Sequence, residues 1–377
     1  MSGRDGHGAK STAVGERVPA AVVGAGPAGL AVSASLRRLG VRHVLLERDR
    51  AVASSWRGHY DRLHLHTDRR RSTLPGAPFP PGTPRYPSRD QVIAYLERYA
   101  AEHAAAPRLG EEVRSARRGA EGWAVETGRS ALLARHLVVA TGTNGEPVVP
   151  SWPGLDAFPG DVLHSARYRS GAAFRGRDVL VVGLGNSGGE IAIDLHEHGA
   201  RPALSVRGPV CVVPRDVLGV PILALAVFLS RLPPRVADLL SRPILRVALG
   251  DTARLGLRKP ETGPLEQIAR RARIPLIDVG TLSLLRAGAV RLFPGLARFE
   301  GDEARFADGR AARFDAVVLA TGYRPRLDFL AGAPPPGDAA AAAQRLHYCG
   351  FDVVATGMLR QIAIEARAIA QAIAADL

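Results

Sequence analysis

Two glycine-rich loops are the first residues in the chain whose types and spacing could do chemistry. Gly24-Ala25-Gly26-Pro27-Ala28-Gly29 follows the apolar run Val18–Val23, and Gly183-Leu184-Gly185-Asn186-Ser187-Gly188 follows Asp178–Val182. Each loop opens a segment with helical apolar spacing: Leu30–Leu39, closed by Gly40, and Gly189–His198, closed by Gly199. In such a GxGxxG loop the first glycine makes a tight turn. The second lets backbone approach a pyrophosphate, and the third lets helix and strand pack closely. The helix then presents free N–H groups and a partial positive charge to the anion. A strand before and a helix after separate this signal from a chance run of glycines.

The strand that follows each helix chooses the nucleotide. In the first copy it is Val44–Glu47, and Glu47 stands 23 positions after Gly24. A carboxylate there accepts hydrogen bonds from ribose hydroxyls, which suits the unphosphorylated ribose of FAD. In the second copy it is Ala203–Arg207, with Arg207 24 positions after Gly183. A guanidinium there forks onto a 2′-phosphate, so this site reads as NADPH, with Ser205 as an added hydroxyl donor. A solvated surface arginine is the alternative for Arg207.

The rest of each copy repeats as well. Short alternating segments (Val113–Ala116, Trp123–Thr127; Ala304–Phe306, Ala312–Phe314) precede apolar strands. These strands are Leu137–Ala140, ending in Thr141-Gly142, and Ala316–Ala320, ending in Thr321-Gly322. The fold class is therefore α/β, with two Rossmann-like dinucleotide-binding domains, the second inserted in the first. Residues 1–17 read as a disordered tail. Residues 18–150 and 320–377 make the FAD-binding domain. Residues 151–319 make the NADPH-binding domain, with a helical insertion at about 216–275. The strand Leu346–Cys349 and a helix from about Thr356 to Ala375 complete the flavin side.

Composition excludes other classes. The chain has 377 residues, 46% hydrophobic and 23% charged, enough apolar material for a sizeable core. Lys plus Arg is 50 against 36 Asp plus Glu, a charge of +14, yet only Lys10 and Lys259 are lysines. The positives are spread along the chain, with no aromatic-interleaved basic run beyond Arg69–Arg71, so no nucleic-acid partner is expected. Two cysteines, Cys211 and Cys349, with no CxxC, exclude a disulfide scaffold, a four-Cys zinc site and a dithiol redox centre. The longest apolar run, Val220–Leu229, has ten residues and contains Pro221, against about 20 for a membrane span. No membrane span is expected. The stretch 217–248 reads as a helical insertion packed on the core, with a surface-lying amphipathic segment as the alternative. The polar start of the chain has no apolar signal segment, which points to a cytoplasmic protein. His64 and His66 alternate on one face, but without a third ligand they make no metal site.

Several motifs resemble those of class B flavin-containing monooxygenases. Phe158-x-Gly160-xxx-His164-xxx-Tyr168 matches the family's FxGxxxHxxxY signature just before the second glycine loop, and Ala320-Thr321-Gly322-Tyr323 matches its ATGY. Trp56, YDRLHLHT (60–67), YPSRDQVIAYLERYA (86–100), GDTARLGLRKPETGP (250–264) and DVGTL (278–282) are similar to the YUCCA-like branch and its bacterial relatives. CGFDVVATGMLRQIAIEA (349–366) instead resembles broader bacterial members. An Asn that other branches carry near their TNSPK stretch is absent, because Thr67 follows His66. The resemblance covers about residues 18–377.

The resemblance implies an NADPH- and FAD-dependent monooxygenase, an oxidoreductase and flavoprotein. It takes one oxygen atom from O2 through a C4a-(hydro)peroxyflavin and inserts it into a small organic substrate. On the YUCCA-like branch the reaction is oxidative decarboxylation of a 2-oxo acid such as indole-3-pyruvate. The alternatives are N- or S-oxygenation, a Baeyer–Villiger-like reaction, or NADPH-dependent reduction without oxygenation. Cofactor contacts are expected from both glycine loops, Glu47, Trp56, Thr141, Gly142, Ser205, Arg207, Thr321 and Gly322. A core position is the alternative for Trp56. Asn144 and Asn186 are the catalytic candidates, as amides near flavin or nicotinamide, with loop capping as the equal alternative. His164 and Tyr168 are expected to shape the interdomain hinge rather than transfer protons. Arg254 and Lys259 are candidates for a substrate carboxylate. The partners are small molecules and O2, and the chain is a monomer or a homodimer.

Overall fold

Apolar β-branched runs and two glycine-opened helices build two sheets, the first mixed and the second wholly parallel. The computed structural model describes residues 15–377. In the first sheet the strands run Arg108–Leu109, His43–Glu47, Glu16–Val23, Ala131–Val139, Gly122–Thr127 and Val113–Gly119. The long strand Ala131–Val139 changes partners along its length. Its first half pairs antiparallel with Gly122–Thr127, and its last residues pair parallel with Leu346–Tyr348. The chain thus returns to its first sheet after building the second.

The second sheet is wholly parallel, in the order Arg291–Phe293, Arg201–Ser205, Asp178–Val182, Ala316–Leu319 and Asp161–His164. Each glycine loop leaves the carboxyl end of a central strand whose neighbours lead away in opposite directions. That is the crevice where open α/β sheets bind ligands.

Two sequence boundaries move. Of the expected tail, residues 1–14 lie outside the described residues, while Glu16 and Arg17 already belong to the first strand, in register with Leu132 and Leu133. The strand expected over Ala203–Arg207 runs over Arg201–Ser205, because Arg201 lies in register with Asp178 and its guanidinium bonds that carboxylate. Arg207 therefore sits two residues beyond the strand end.

Packing follows the apolar pattern. The helix Pro27–Arg38 buries Leu30, Ala31 and Ala34 against Ile362, Ala366, Ala370 and Ile373 of the C-terminal helix Met358–Ala375. Alanines on both sides let the two helices approach closely, so the N-terminal end of the last helix is fixed beside the first glycine loop. The stretch 216–275 holds a short hairpin (Asp216–Val217, Val220–Pro221) and the helices Ile222–Leu229, Pro234–Leu249 and Pro264–Arg271. Asp238 accepts hydrogen bonds from the N–H groups of Leu265 and Glu266, both at 2.9 Å, and so ties the second of these helices to the start of the third. The helix Arg89–Glu102 starts with a capping box between Ser88 and Gln91. Just ahead of it, the Leu65 N–H donates to the Pro87 carbonyl at 2.8 Å, which positions residues 65–67.

Candidate active site

The first loop behaves as its glycine spacing requires. Gly24 has φ +104°, and a Cβ on it would lie 2.7 Å from the Ala140 carbonyl oxygen. A Cβ on Gly29 would lie 1.7 Å from the Gly24 oxygen, whereas one on Gly26 would meet nothing within 4 Å. The outer glycines close the loop on its own sheet and the middle one leaves backbone bare. Gly26 caps the helix with no side chain, so the first-turn N–H groups stay free for an anion. A groove of about 510 Å³ opens here, lined by Gly24, Gly26, Pro27, Ala28, Glu47, Thr141, Gly142 and Asn144. Ala25 and Gly29 lie behind it. Glu47 is 5% exposed, and its Oε2 accepts from the Ala25 N–H at 2.6 Å. Its Oε1 accepts from the Asp49 N–H at 3.0 Å. The carboxylate thus fixes the loop from beneath while lining the groove.

The second loop repeats this geometry. Gly183 has φ +107°, and a Cβ on Gly188 would lie 2.1 Å from the Gly183 oxygen, while one on Gly185 would meet nothing within 4 Å. Leu184 is buried in the core below it. The expectation that Ser205 offers a free donor is corrected: its buried hydroxyl donates to the Pro294 carbonyl at 2.8 Å. Arg207 is exposed, and among the described residues its guanidinium has no ion-pair partner. Thr321 and Gly322 lie just past the carboxyl end of the second-sheet strand Ala316–Leu319. The Thr321 hydroxyl donates to the Val148 carbonyl at 2.5 Å, and the Gly322 carbonyl lies 3.1 Å from His164 Nε2.

A second cavity, about 350 Å³, begins where the groove ends, and the two share Pro27 and Ile362. Its walls are mainly aliphatic, with Leu225, Leu229 and Leu245 from the insertion, Ile277 from a neighbouring strand and Leu359 from the last helix. The polar atoms come from His66, Thr67, Asn186 and Ser241, and Trp56 closes one side. Trp56 therefore borders this cavity rather than the groove. His66 Nε2 bonds the Glu190 carboxylate, which is 3% exposed and lies 3.7 Å from Arg62. Among the described residues no group of three or more His, Cys, Asp or Glu side chains is placed to hold a metal ion.

The two asparagines part company. Asn144 borders the nucleotide groove, exposed. Both ends of the Asn186 amide are engaged: Oδ1 accepts from the Ile277 N–H at 2.8 Å and Nδ2 reaches the Pro275 carbonyl at 3.4 Å. It pins the cavity wall. Arg254 and Lys259 are corrected. They pair with Asp251 at 3.7 and 2.8 Å, are largely exposed and do not line the cavity.

The residues of the FxGxxxHxxxY stretch are structural ties. A Cβ on Gly160 would lie 2.2 Å from the Asp315 oxygen. The Tyr168 hydroxyl donates to Asp194 at 2.6 Å, and Asp194 also accepts the Gly171 N–H at 2.7 Å. Burial lowers the His164 pKa and, with the Asp194 bond, raises that of Tyr168. Burial likewise pushes the Cys211 thiol up to about 12.

Comparison with known proteins agrees with this geometry. Residues 21–214 match the family described as pyridine nucleotide-disulphide oxidoreductase. Indole-3-pyruvate monooxygenase YUCCA1 of Oryza sativa subsp. japonica is 45% identical over 82% of this chain and 78% of its own length. This chain belongs to the YUCCA-type flavin monooxygenase family. It is an oxidoreductase of the monooxygenase class. Probable indole-3-pyruvate monooxygenase YUCCA3 of Arabidopsis thaliana is 42% identical over 81% of the chain and 73% of that relative. Among solved structures, the flavin-containing monooxygenase of Stenotrophomonas maltophilia has a TM-score of 0.72 and 26% identity, covering 96% of this chain and 99% of that one. An oxidized steroid monooxygenase bound to NADP, 21% identical, has a TM-score of 0.75 and shares the fold, over 96% of this chain and 86% of that one. No helix among the described residues is long and apolar enough to cross a membrane.

Sequence reasoning missed the groove residues Arg48, Ser54 and Phe329 and the aliphatic cavity walls. Arg48 and Ser54 follow Glu47 closely, which is a usable signal. The walls have none, since they come from separate segments.

Proposed function

We propose that the protein is an NADPH- and FAD-dependent monooxygenase that decarboxylates a 2-oxo acid bearing an apolar aromatic side chain, of the indole-3-pyruvate kind. The observation that carries this reading is the aliphatic cavity continuous with the first nucleotide groove through Pro27 and Ile362. Small-molecule sites of roughly 300–1,000 Å³ are mostly apolar with a few placed polar groups, which fits this cavity.

The residues present fit both cofactors. Bare backbone at Gly26 and Gly185, each capping a helix with free N–H groups, leaves room for a pyrophosphate. In this reading 18–150 and 320–377 bind FAD and 151–319 bind NADPH. Glu47 holds the FAD ribose, while Thr141, Gly142 and Asn144 border the same groove. Arg207 reads the NADPH 2′-phosphate. When bound, FAD reduced by NADPH supplies the electrons that activate O2. The chain's own part is orientation and exclusion of water. The aliphatic walls keep the cavity dry, Trp56 and Leu359 flank the acceptor, and His66, held by Glu190, offers a polar contact to the 2-oxo acid.

The test is a screen of the purified yellow protein. NADPH consumption and product mass are followed with 2-oxo acids, amines, sulfides and ketones under air. Indole-3-pyruvate should give the acid one carbon shorter, with carbon dioxide released and one atom of ¹⁸O2 incorporated. An oxidised amine or sulfide with no 2-oxo acid turnover overturns the substrate class. NADPH oxidation without oxygen transfer to any substrate overturns the monooxygenase mechanism.

A further inference from the structure

The insertion carries an exposed apolar face that the cavity does not explain. Nine of the seventeen exposed large apolar side chains among the described residues fall between Leu218 and Val247. Phe228, Leu239 and Val247 are 64, 66 and 87% exposed. Patches of this kind on a soluble chain mark an interaction surface.

The helix Pro234–Leu249 divides into three stripes when its residues are turned by about 100° each. Ala237, Ser241, Leu245 and Leu249 face inward, toward the core and the aliphatic cavity. Val236, Leu239, Leu240, Ile244 and Val247 form the opposite, exposed stripe. Between them runs a row of arginines, Arg235, Arg242 and Arg246, all exposed. Asp238 is the one carboxylate between 217 and 250, and it is spent on the N–H groups of Leu265 and Glu266. Arg235 pairs with Glu266 at 2.8 Å; Arg242 and Arg246 have no ion-pair partner among the described residues.

We propose that this helical segment, 222–249, lies on the surface of an anionic lipid bilayer. The exposed stripe sinks to the acyl boundary, and the arginine row beside it stays at the level of the negative headgroups. Apolar residues flanked by cations are the pattern of an interfacial helix, and each arginine near such a surface adds to the attraction. A second copy of the chain fits less well, since it meets unpaired arginines with the same unpaired arginines and offers no free carboxylate. The helix does not span; it docks.

The test uses the flavin-loaded full chain and vesicle co-flotation. Vesicles of phosphatidylcholine alone are compared with vesicles containing about 30% phosphatidylglycerol, at about 0.05 and about 0.5 M salt. The protein should float with the anionic vesicles at low salt, at least about tenfold more than with the neutral ones, and release at high salt. L239E/V247E should lose at least about tenfold in vesicle binding while keeping its flavin absorbance and its molar mass by light scattering. These side chains line neither groove nor cavity, so NADPH oxidation with a dissolved substrate should not change. R242Q/R246Q should lose the salt dependence. Absence of flotation, or equal binding to both vesicles, overturns the proposal. So does a wild-type dimer that L239E/V247E turns into a monomer, which would assign the face to a second copy.

Discussion

Arg207→Ala tests the nucleotide assignment most directly. The guanidinium is exposed and has no ion-pair partner among the described residues, so its loss should leave the fold within about 0.5 kcal/mol of the parent. A hydrogen bond between charged groups contributes about 1.5–3 kcal/mol. Solvent around Arg207 puts the expected figure at the lower end, about 1.5–2 kcal/mol. That corresponds to about a 10–30-fold fall in kcat/KM for NADPH. NADH has no 2′-phosphate, so its kcat/KM should change by less than about twofold. Arg207→Lys keeps a charge without the fork and should recover part of the loss. Arg258 donates to the Arg207 carbonyl and stands close by, so Arg258→Ala should cost less than Arg207→Ala. The assay is initial-rate kinetics of both nucleotides at fixed substrate in air. An equal fall for NADPH and NADH would refute the reasoning and leave Arg207 as a surface charge.

Three further outcomes follow from the geometry. Gly26→Val should fold with the Tm of the flavin-free parent, because a Cβ there meets nothing, yet purify colourless because its side chain fills the anion cradle; Gly29→Ala should fail to fold, its Cβ lying 1.7 Å from a carbonyl oxygen. Leu245→Trp should narrow the aliphatic cavity, so kcat/KM for indole-3-pyruvate falls at least about tenfold relative to a small 2-oxo acid while flavin content holds; an unchanged ratio places the substrate elsewhere. Burial, and the His136 ring 3.2 Å away, push the His347 imidazole down to about 4, against about 6.5 unfolded. The unfolded chain therefore binds more protons, and stability present above about pH 6.5 is lost as pH falls toward 4, by up to about 3 kcal/mol. Tm measured from pH 7.5 to 5 should fall less in His347→Gln than in the parent, and parallel curves would assign the acid sensitivity elsewhere.

The parts of the fold legible in the sequence are those that local backbone chemistry dictates. Gly29 and Gly188 are forced by contacts within their own loops, and Gly24 and Gly183 by the positive φ of the turn, so their spacing alone places two strand–loop–helix units. The offset at Arg207 was not legible, because the register of its strand depends on Asp178, more than twenty residues earlier. Nor was the spent hydroxyl of Ser205, whose acceptor belongs to Pro294. Arg254 and Lys259 look free in sequence and are tied to Asp251 only by a turn in the folded chain. The aliphatic cavity was the least legible, since residues 65–67, the insertion, the strand at 276–278 and the last helix each supply one wall. None of these segments carries a motif that names the others.

The boundary between groove and cavity explains how one chain can bring a nucleotide and an apolar substrate together. Pro27 occupies the first helical position and has no N–H, so it leaves no unsatisfied donor there while the N–H groups after it serve the groove. Its ring and the Ile362 side chain form a shared apolar edge with no proton to exchange with water. Both positions are fixed by the same contact, the alanine-rich packing of the first and last helices. The polar groups that must meet the substrate come instead from the segment at His66 and Thr67, which the Glu190 carboxylate of the other unit holds in place. The site therefore depends on both sheets at once: the first supplies the floor, and the second fixes the one imidazole that faces it.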